Sequence, residues 1–241
     1  MNDFDSWAKW YDVIYSERID ELPEISFYED LLEKENVNKS LEVACGTGRL
    51  YLPLIKKGHD IDGLDISEKM LEELEEKADD QGLNPTVYQG DITDADLSNK
   101  YDLIYFPFTA ITHLSDLNQQ REAMKNIYSH LNEDGIFALD TIDSSLEKIC
   151  EYGKIKERTK HIDGVDYKLE FWQSDYEGPL ETVKFNNRII NTDTKNIVFE
   201  TSFELALIPK NQLELLLIDA GFSEYSIKHT EDNRFRIIAK K

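Results

Sequence analysis

Apolar and polar positions follow two patterns along this chain. From Ser40 to Asp140, short apolar runs at Ser40 to Ala44, Asp60 to Leu64, Thr86 to Tyr88, Leu103 to Phe106 and Gly135 to Asp140 alternate with amphipathic stretches. Runs of this kind suit strands buried on both faces, and helical crossovers between them make the sheet parallel. The clearest helix follows Ser67, an N-cap residue; Met70, Leu71 and Leu74 share one face, and Gly82 and Pro85 stop the helix before the third strand. Between Lys154 and Leu207 the pattern becomes β-rich, with runs Val165 to Trp172, Glu181 to Ile190 and Ile197 to Leu207 separated by Gly178-Pro179 and Asn191-Thr192-Asp193. Antiparallel strands joined by turns are expected there. A helix over Asn211 to Asp219, the turn Ala220-Gly221-Phe222, and runs Tyr225 to Lys228 and Phe235 to Ala239 predict a return to the main sheet as its closing hairpin.

The expected fold is therefore α/β, a doubly wound and mostly parallel sheet, with a late antiparallel β insertion over 154–207. One domain spans 1–241, with 1–35 as an N-terminal helical cap. The insertion has three readings. It covers the carboxyl ends of the strands, where open sheets bind ligands, or it pairs with another subunit, or it is a structural extension only.

The first run leads into Leu41-Glu42-Val43-Ala44-Cys45-Gly46-Thr47-Gly48-Arg49-Leu50, a strand feeding a glycine turn that opens a helix. Glycines at 46 and 48 let backbone approach a ligand closely, and amides at the following helix start can point at it. Asp65, at the end of the second run, lies 17 residues beyond Gly48, near the spacing of about 20 residues at which an acid meets ribose hydroxyls. In a dinucleotide fingerprint the third glycine packs helix on strand; here that place is Tyr51, which disfavours NAD.

Charge narrows the partners. Twenty-seven basic residues against 49 acidic ones give a formal charge of −22, which repels nucleic acid phosphates and anionic membranes. No apolar stretch approaches the ~20 residues of a membrane span. Met1-Asn2-Asp3-Phe4-Asp5 lacks the regions of a signal peptide, and Cys45 and Cys150 suggest no disulfide framework, so a cytoplasmic location is expected. Cys45, His59, His113 and Cys150 show no zinc-ligand spacing, and no metal is expected. No Gly-x-Ser-x-Gly elbow is present, and the glycine turn lacks the Lys-Ser or Lys-Thr of a phosphate-binding loop, which removes the hydrolase and NTPase readings.

Glu42-Val43-Ala44-Cys45-Gly46-Thr47-Gly48 resembles the first motif of class I S-adenosylmethionine-dependent methyltransferases, acidic-x-Gly-x-Gly-x-Gly, with Ala44 in place of the first glycine. The resemblance implies a seven-stranded Rossmann-like sheet, S-adenosyl-L-methionine as cofactor and S-adenosyl-L-homocysteine as product. Glu42, Ala44, Cys45, Gly46 and Gly48 would then line the cofactor. Asp65 would accept both ribose hydroxyls with Ile66 alongside the adenine, and Asp91 would meet the adenine amino group with Ile92 flanking the ring. An aspartate at 91 can instead cap a turn. Tyr101 to Phe106 resembles the fourth motif, placing Phe106 near the reacting methyl, with Asp102 structural.

Ser6-Trp7-Ala8-Lys9-Trp10-Tyr11-Asp12-Val13-Ile14-Tyr15 resembles the N-terminal helix of small-molecule methyltransferases, whose aromatics close over the cofactor. Tyr11 and Tyr15, spaced i,i+4, are candidate cofactor or substrate contacts; packing of Trp7, Trp10 and Tyr11 on the core is the rival reading. In Thr109-Ala110-Ile111-Thr112-His113-Leu114, His113 is the candidate catalytic residue, accepting a proton from an amine or hydroxyl as it is methylated, against a capping or packing role. His161 and His229 lie in expected strands away from the motifs. The aromatic N-terminal helix with a late β insertion resembles N-methyltransferases of amino sugars and small amines. The implied activity is methyl transfer to a small-molecule amine or hydroxyl, by a monomer or a homodimer formed through the insertion. The alternative is a SAM-binding protein without transferase activity, acting as a regulator or assembly partner.

Overall fold

A computed structural model describes residues 4–15, 23–34, 37–144, 154–177, 182–231 and 233–241. Cys150 and the Gly178-Pro179 turn lie outside them. Contacts divide the chain into two compact units, 1–111 with 117–143 and 210–241, and 112–116 with 144–209.

The first unit is built on seven strands, β1 (Ser40–Val43), β2 (Ile61–Asp65), β3 (Thr86–Gln89), β4 (Tyr101–Phe106), β5 (Leu131–Ile142), β10 (Glu224–His229) and β11 (Arg234–Lys240). Their order is β10-β11-β5-β4-β1-β2-β3. Strands β1 to β5 pair in parallel, and β11 runs antiparallel to both β5 and β10. The doubly wound sheet and its closing hairpin are as the pattern predicts. Strand order reverses between β1 and β4, which opens the crevice at their carboxyl ends where such sheets take ligands.

The sequence explains the central strands. Every residue of β1 and β2 is buried, as suits strands covered on both faces. Tyr51 occupies the helix side of this layer: its hydroxyl donates to the Ile61 carbonyl at 2.9 Å and accepts from the Thr86 amide at 2.9 Å, tying β2 to β3. The helices are α1 (Ala8–Tyr15), α2 (Pro23–Leu32), α3 (Tyr51–Lys56), α4 (Glu68–Asp80), α5 (Leu117–His130) and α6 (Lys210–Ala220). Helix α4 starts as expected, with the Ser67 hydroxyl accepting from the Met70 amide at 3.2 Å, a cap contributing about 1 kcal/mol. Its buried residues, Met70, Leu71, Leu74 and Ala78, form one stripe. Gly82, at φ +67°, ends the turn beyond it. Asp102 is structural in its contacts, accepting from the Asn38 and Lys39 amides and the Asn132 side chain. No helix among the described residues is long and apolar enough to cross a membrane.

The second unit carries an antiparallel sheet ordered β6-β7-β8-β9: β6 (Lys156–Ile162), β7 (Val165–Glu177), β8 (Thr182–Asn191) and β9 (Ile197–Ala206). The expectation of three β runs omitted β6. The missed signal was Asp163-Gly164, whose φ values of +49° and +81° make the tight hairpin turn that Asp-Gly favours. The Asn191 turn is as expected: its side-chain oxygen accepts from the Asp193 and Thr194 amides, both at 3.0 Å.

Candidate functional site

The glycine turn leaves β1 through three residues in left-handed backbone: Ala44 at φ +56°, Gly46 at +54° and Gly48 at +81°. Gly48 is required sterically as well, since a Cβ there would lie 2.7 Å from Leu52 Cγ and 2.9 Å from Leu74 Cγ. Gly46 differs. A Cβ on it would meet only Asp65 Oδ2, at 4.0 Å, so this side of the turn is open and faces a carboxylate. Helix α3 begins only at Tyr51 and is six residues long, so the amides beside the open face belong to the turn and not to a helix start as expected.

Asp65 is fixed from two sides. Oδ2 accepts from the Gly46 amide at 2.8 Å and Oδ1 from the Ser67 amide at 2.9 Å. Burial pushes its pKa up, and those backbone donors pull it back. Cys45 contributes backbone only: its amide donates to the Leu64 carbonyl at 3.1 Å, while its thiol is buried where a Cβ on Gly63 would come within 2.8 Å of the sulfur. Burial holds that thiol well above its ordinary pKa, so it stays protonated and unreactive.

The third motif joins the same cluster through backbone, the Gly90 amide donating to the Asp65 carbonyl at 2.9 Å. Asp91 Oδ1 accepts from the Thr93 amide at 2.9 Å and the Thr93 hydroxyl at 2.8 Å, which is the turn-capping geometry. Ile92 is buried, whereas Ile66 is 43% exposed. Phe106 is buried as the last residue of β4.

Beneath the turn runs a buried polar layer. Glu42 accepts from the Tyr105 hydroxyl at 2.9 Å, and burial raises its pKa to about 8, which keeps it protonated at neutral pH. Tyr105 packs on Tyr28, ring centroids 4.9 Å apart, and the Tyr28 hydroxyl donates to Asp140 Oδ1 at 2.6 Å. Asp140 also accepts from the Phe108 amide and from Arg234 Nη1, both at 2.9 Å, and Arg234 Nη1 donates to Thr109 Oγ1 at 2.9 Å. This clamp holds the loop after β4, where Phe108 and Thr109 both have left-handed backbone at φ +56° and +65°. Such strain costs on the order of 1–3 kcal/mol per residue and gathers at functional loops.

Arg49 joins that loop to the N-terminal helix. Its guanidinium lies 4.7 Å from the Phe108 ring centroid and 5.5 Å from that of Tyr15, and its positive charge opposes the rise in pKa that burial imposes on the Tyr11 hydroxyl. Tyr11 and Tyr15 meet at 4.9 Å, each also within 6 Å of the Trp7 ring. Two carboxylates of the N-terminal segment reach the motifs: Thr47 Oγ1 donates to Asp12 Oδ1 and Ser67 Oγ to Asp5 Oδ1, both at 2.7 Å. The structure thus gathers Tyr11, Tyr15, Ala44, Gly46, Gly48 and Asp65 around one turn, with Glu42 beneath it. His113 belongs to the second unit, where its ring meets Phe203 edge-on at 5.6 Å. Burial lowers its pKa to about 4, so the imidazole is neutral at pH 7 and a weak base.

Arg49, Phe108, Asp140, Tyr28 and Arg234 were absent from the sequence-derived site. Asp140 carried a readable signal, an acid closing an expected central strand at its carboxyl end. Arg234 and Tyr28 carried none, because their partners are 94 and 112 residues away.

Comparison with known proteins places these features in context. Residues 41–135 match a family model described as a methyltransferase domain. Among curated proteins, the chain is 29% identical over 136 residues to dTDP-3-amino-3,4,6-trideoxy-alpha-D-glucopyranose N,N-dimethyltransferase of Streptomyces venezuelae; the match covers 55% of this chain and only 56% of that relative. It is 27% identical over 180 residues to the glycine/sarcosine N-methyltransferase of Aphanothece halophytica, covering 70% of this chain and 67% of that protein. Among solved structures, Streptomyces venezuelae DesVI superposes with a TM-score of 0.80 at 22% identity, over 96% of this chain and 97% of that one, which establishes a shared fold.

Proposed function

We propose that this chain, whose residues 41–135 match a methyltransferase-domain model, is a class I S-adenosylmethionine-dependent methyltransferase that transfers a methyl group to an amine or hydroxyl of a small molecule. The observation that carries this reading is Asp65, its carboxylate held by the Gly46 and Ser67 amides against the open face of a glycine turn. A carboxylate so fixed keeps lone pairs for two further donors, which suits vicinal ribose hydroxyls, and an open Gly46 leaves room for a ligand's backbone-close approach.

When bound, S-adenosylmethionine supplies a sulfonium methyl group already activated for transfer. The residues of this chain then have to bind, orient and exclude water. Asp65 would take the ribose, Asp91 the adenine amino group, and Ile66 and Ile92 the faces of the ring. Tyr11, Tyr15 and Arg49 would cover the turn, and Glu42, protonated through burial, would support its floor through Tyr105. Phe106 would border the reacting methyl. Because the methyl is activated, a neutral His113 suffices as a hydrogen-bond acceptor and need not act as a strong base. The whole chain is read as one methyltransferase domain with 154–207 as its insertion, working in the cytoplasm as a monomer or homodimer.

An amine is the favoured acceptor. The two curated relatives are named for N-methylation, of an amino sugar nucleotide and of glycine or sarcosine. A formal charge of −22 also suits a neutral or cationic acceptor over a polyanion. The test is incubation with S-adenosylmethionine and a panel of amino sugars, amino acids and phenols, following S-adenosylhomocysteine by mass spectrometry. Product that forms only when an amine is present supports the reading. Cofactor binding without turnover on any acceptor would favour a non-catalytic SAM-binding protein instead.

A further inference from the structure

The loop after β3, residues 90–100, contains no helix or strand, so its backbone groups need partners from elsewhere. Its first turn provides one set, the Asp94 and Ala95 amides donating to the Asp91 carbonyl at 3.1 and 2.7 Å. Helix α5, in the same compact unit, provides another. Asn126 Nδ2 donates to the Ile92 carbonyl at 3.0 Å and to the Ala95 carbonyl at 2.8 Å, and His130 Nε2 accepts from the Leu97 amide at 3.2 Å. Residues 126 and 130, four positions apart, share one face of α5. His130 Nδ1 lies 2.9 Å from the Asn126 carbonyl, which can only accept, so the ring hydrogen sits on Nδ1 and Nε2 is the acceptor.

Asn126 directs both of its amide hydrogens at this loop, and two carbonyls at such distances fix which end of the amide is nitrogen. The clamp closes over the turn in which Asp91 caps Thr93. Asp91 is thereby held on both sides: before it the Gly90 amide is tied to the Asp65 carbonyl at 2.9 Å, and after it Ile92 and Ala95 are tied to α5. The Thr93 amide and hydroxyl both go to Asp91 Oδ1, at 2.9 and 2.8 Å, so Oδ2 keeps its lone pairs, and Asp91 is only half-buried. A ligand donor reaching Asp91 meets an acceptor whose place is set from α5. Such placement decides selectivity, because a binding group discriminates between ligands only when held within about 0.5 Å of its working position.

We infer that Asn126 is a positioning residue for adenine recognition, aiming the Asp91 carboxylate at the adenine amino group by holding the Ile92 and Ala95 carbonyls of its turn. The ligand's identity rests on the methyl-transfer reading; the positioning rests on the bonds from α5 to the loop alone. Asn126→Asp keeps the size of the side chain but sets a carboxylate against two carbonyls, and Asn126→Ala removes the amide altogether, so both release the turn.

The test titrates the full chain, Asn126→Ala and Asn126→Asp with S-adenosylhomocysteine and with S-inosylhomocysteine, in which a carbonyl replaces the adenine amino group. Circular dichroism establishes that a variant is folded, and either one suffices for the comparison. Wild type should prefer the adenosyl ligand by about tenfold or more, since a carboxylate facing a carbonyl loses a charged hydrogen bond. In the variants that preference should fall by about fivefold or more through weaker adenosyl binding, while inosyl affinity stays within about twofold of wild type. Hydrogen exchange without ligand reads the clamp itself, and the Thr93 and Ala95 amides should exchange about tenfold faster in the variants. An undiminished preference, equal weakening of both ligands, or unchanged exchange at Thr93 and Ala95 would each overturn the inference; equal weakening would mean that Asn126 supports the fold as a whole. Wild type that binds neither ligand, or both alike, contradicts the adenine reading and the inference with it, whereas a preference kept by the variants leaves that reading intact and removes only Asn126.

Discussion

The Gly46 amide lies 2.8 Å from the Asp65 carboxylate, joining the turn after β1 to the end of β2. With Ser67 on the other oxygen, the acid is aimed by backbone at both ends and needs no charged partner to hold it. That arrangement makes Asp65 the residue on which ligand affinity should depend most. On the proposed ribose assignment, Asp65→Ala removes two hydrogen bonds to a charged group, so S-adenosylhomocysteine affinity should fall on the order of 100-fold. Calorimetry at a temperature where circular dichroism shows the variant folded reads this directly; unchanged affinity would remove Asp65 from the ribose assignment.

Ala44 takes a left-handed conformation where the motif it resembles has glycine. An L-residue pays roughly 1–2 kcal/mol there, partly offset by the entropy glycine loses on folding. Ala44→Gly should therefore raise stability by about 0.5–1 kcal/mol. Urea unfolding with an unchanged m-value checks it, and a drop in midpoint would contradict the strain.

Gly48 gives the opposite result. Adding a Cβ at φ +81° would drive it into the Leu52 and Leu74 side chains, which must shift to make room. Gly48→Ala should cost about 2–4 kcal/mol by combined overpacking and backbone strain. The measurement is the same denaturation midpoint, with Gly58→Ala as comparison, since a Cβ on Gly58 meets nothing within 4 Å although its φ is +95°. A smaller loss at 58 separates packing from conformation.

Glu42 should make stability depend on pH. Its carboxyl titrates near 4.5 when unfolded and near 8 in the native chain, so between those values the native state binds more protons. Its stabilising contribution is fully present below about pH 4.5 and is lost as pH rises through about 8. Glu42→Gln mimics the protonated form and should flatten that loss. Thermal unfolding at pH 5, 6.5 and 8 should show the variant gaining on wild type at each step, and parallel curves would show that Glu42 is ionised in the fold.

The Asp140 clamp predicts a rescue. Asp140→Asn breaks a buried ion pair with Arg234 and should cost about 3 kcal/mol. If the clamp serves to hold Thr109 at φ +65°, glycine adopts that conformation without strain, and adding Thr109→Gly should restore about 1 kcal/mol. Thr109→Gly alone, which removes the hydroxyl that accepts from Arg234, gives the baseline for a double-mutant cycle. Additive effects would contradict coupling between the clamp and the loop.

How much of this was readable beforehand depends on the range of each signal. Gly46, Gly48 and Asp65 were legible because a strand-turn-helix unit is local and its strained positions need glycine. The parallel strands and the closing hairpin followed from apolar runs, and the Ser67 cap from its place before Met70, Leu71 and Leu74, whereas the strand order came only from the structure. Strand β6 was missed because Lys156 to Ile162 is polar, with six of its seven residues charged, hydroxylated or histidine; only the Asp163-Gly164 turn marked it. The Arg49 contacts with Tyr15 and Phe108 were not legible, since they depend on how three distant segments pack.

The central claim is that the Gly46–Asp65 crevice binds an adenosyl cofactor. Calorimetric titration of the purified protein with S-adenosylmethionine, S-adenosylhomocysteine and NAD tests it most directly. Saturable binding of both adenosyl ligands, with none of NAD, is the expected result; NAD binding, or no binding of either adenosyl ligand, would contradict it.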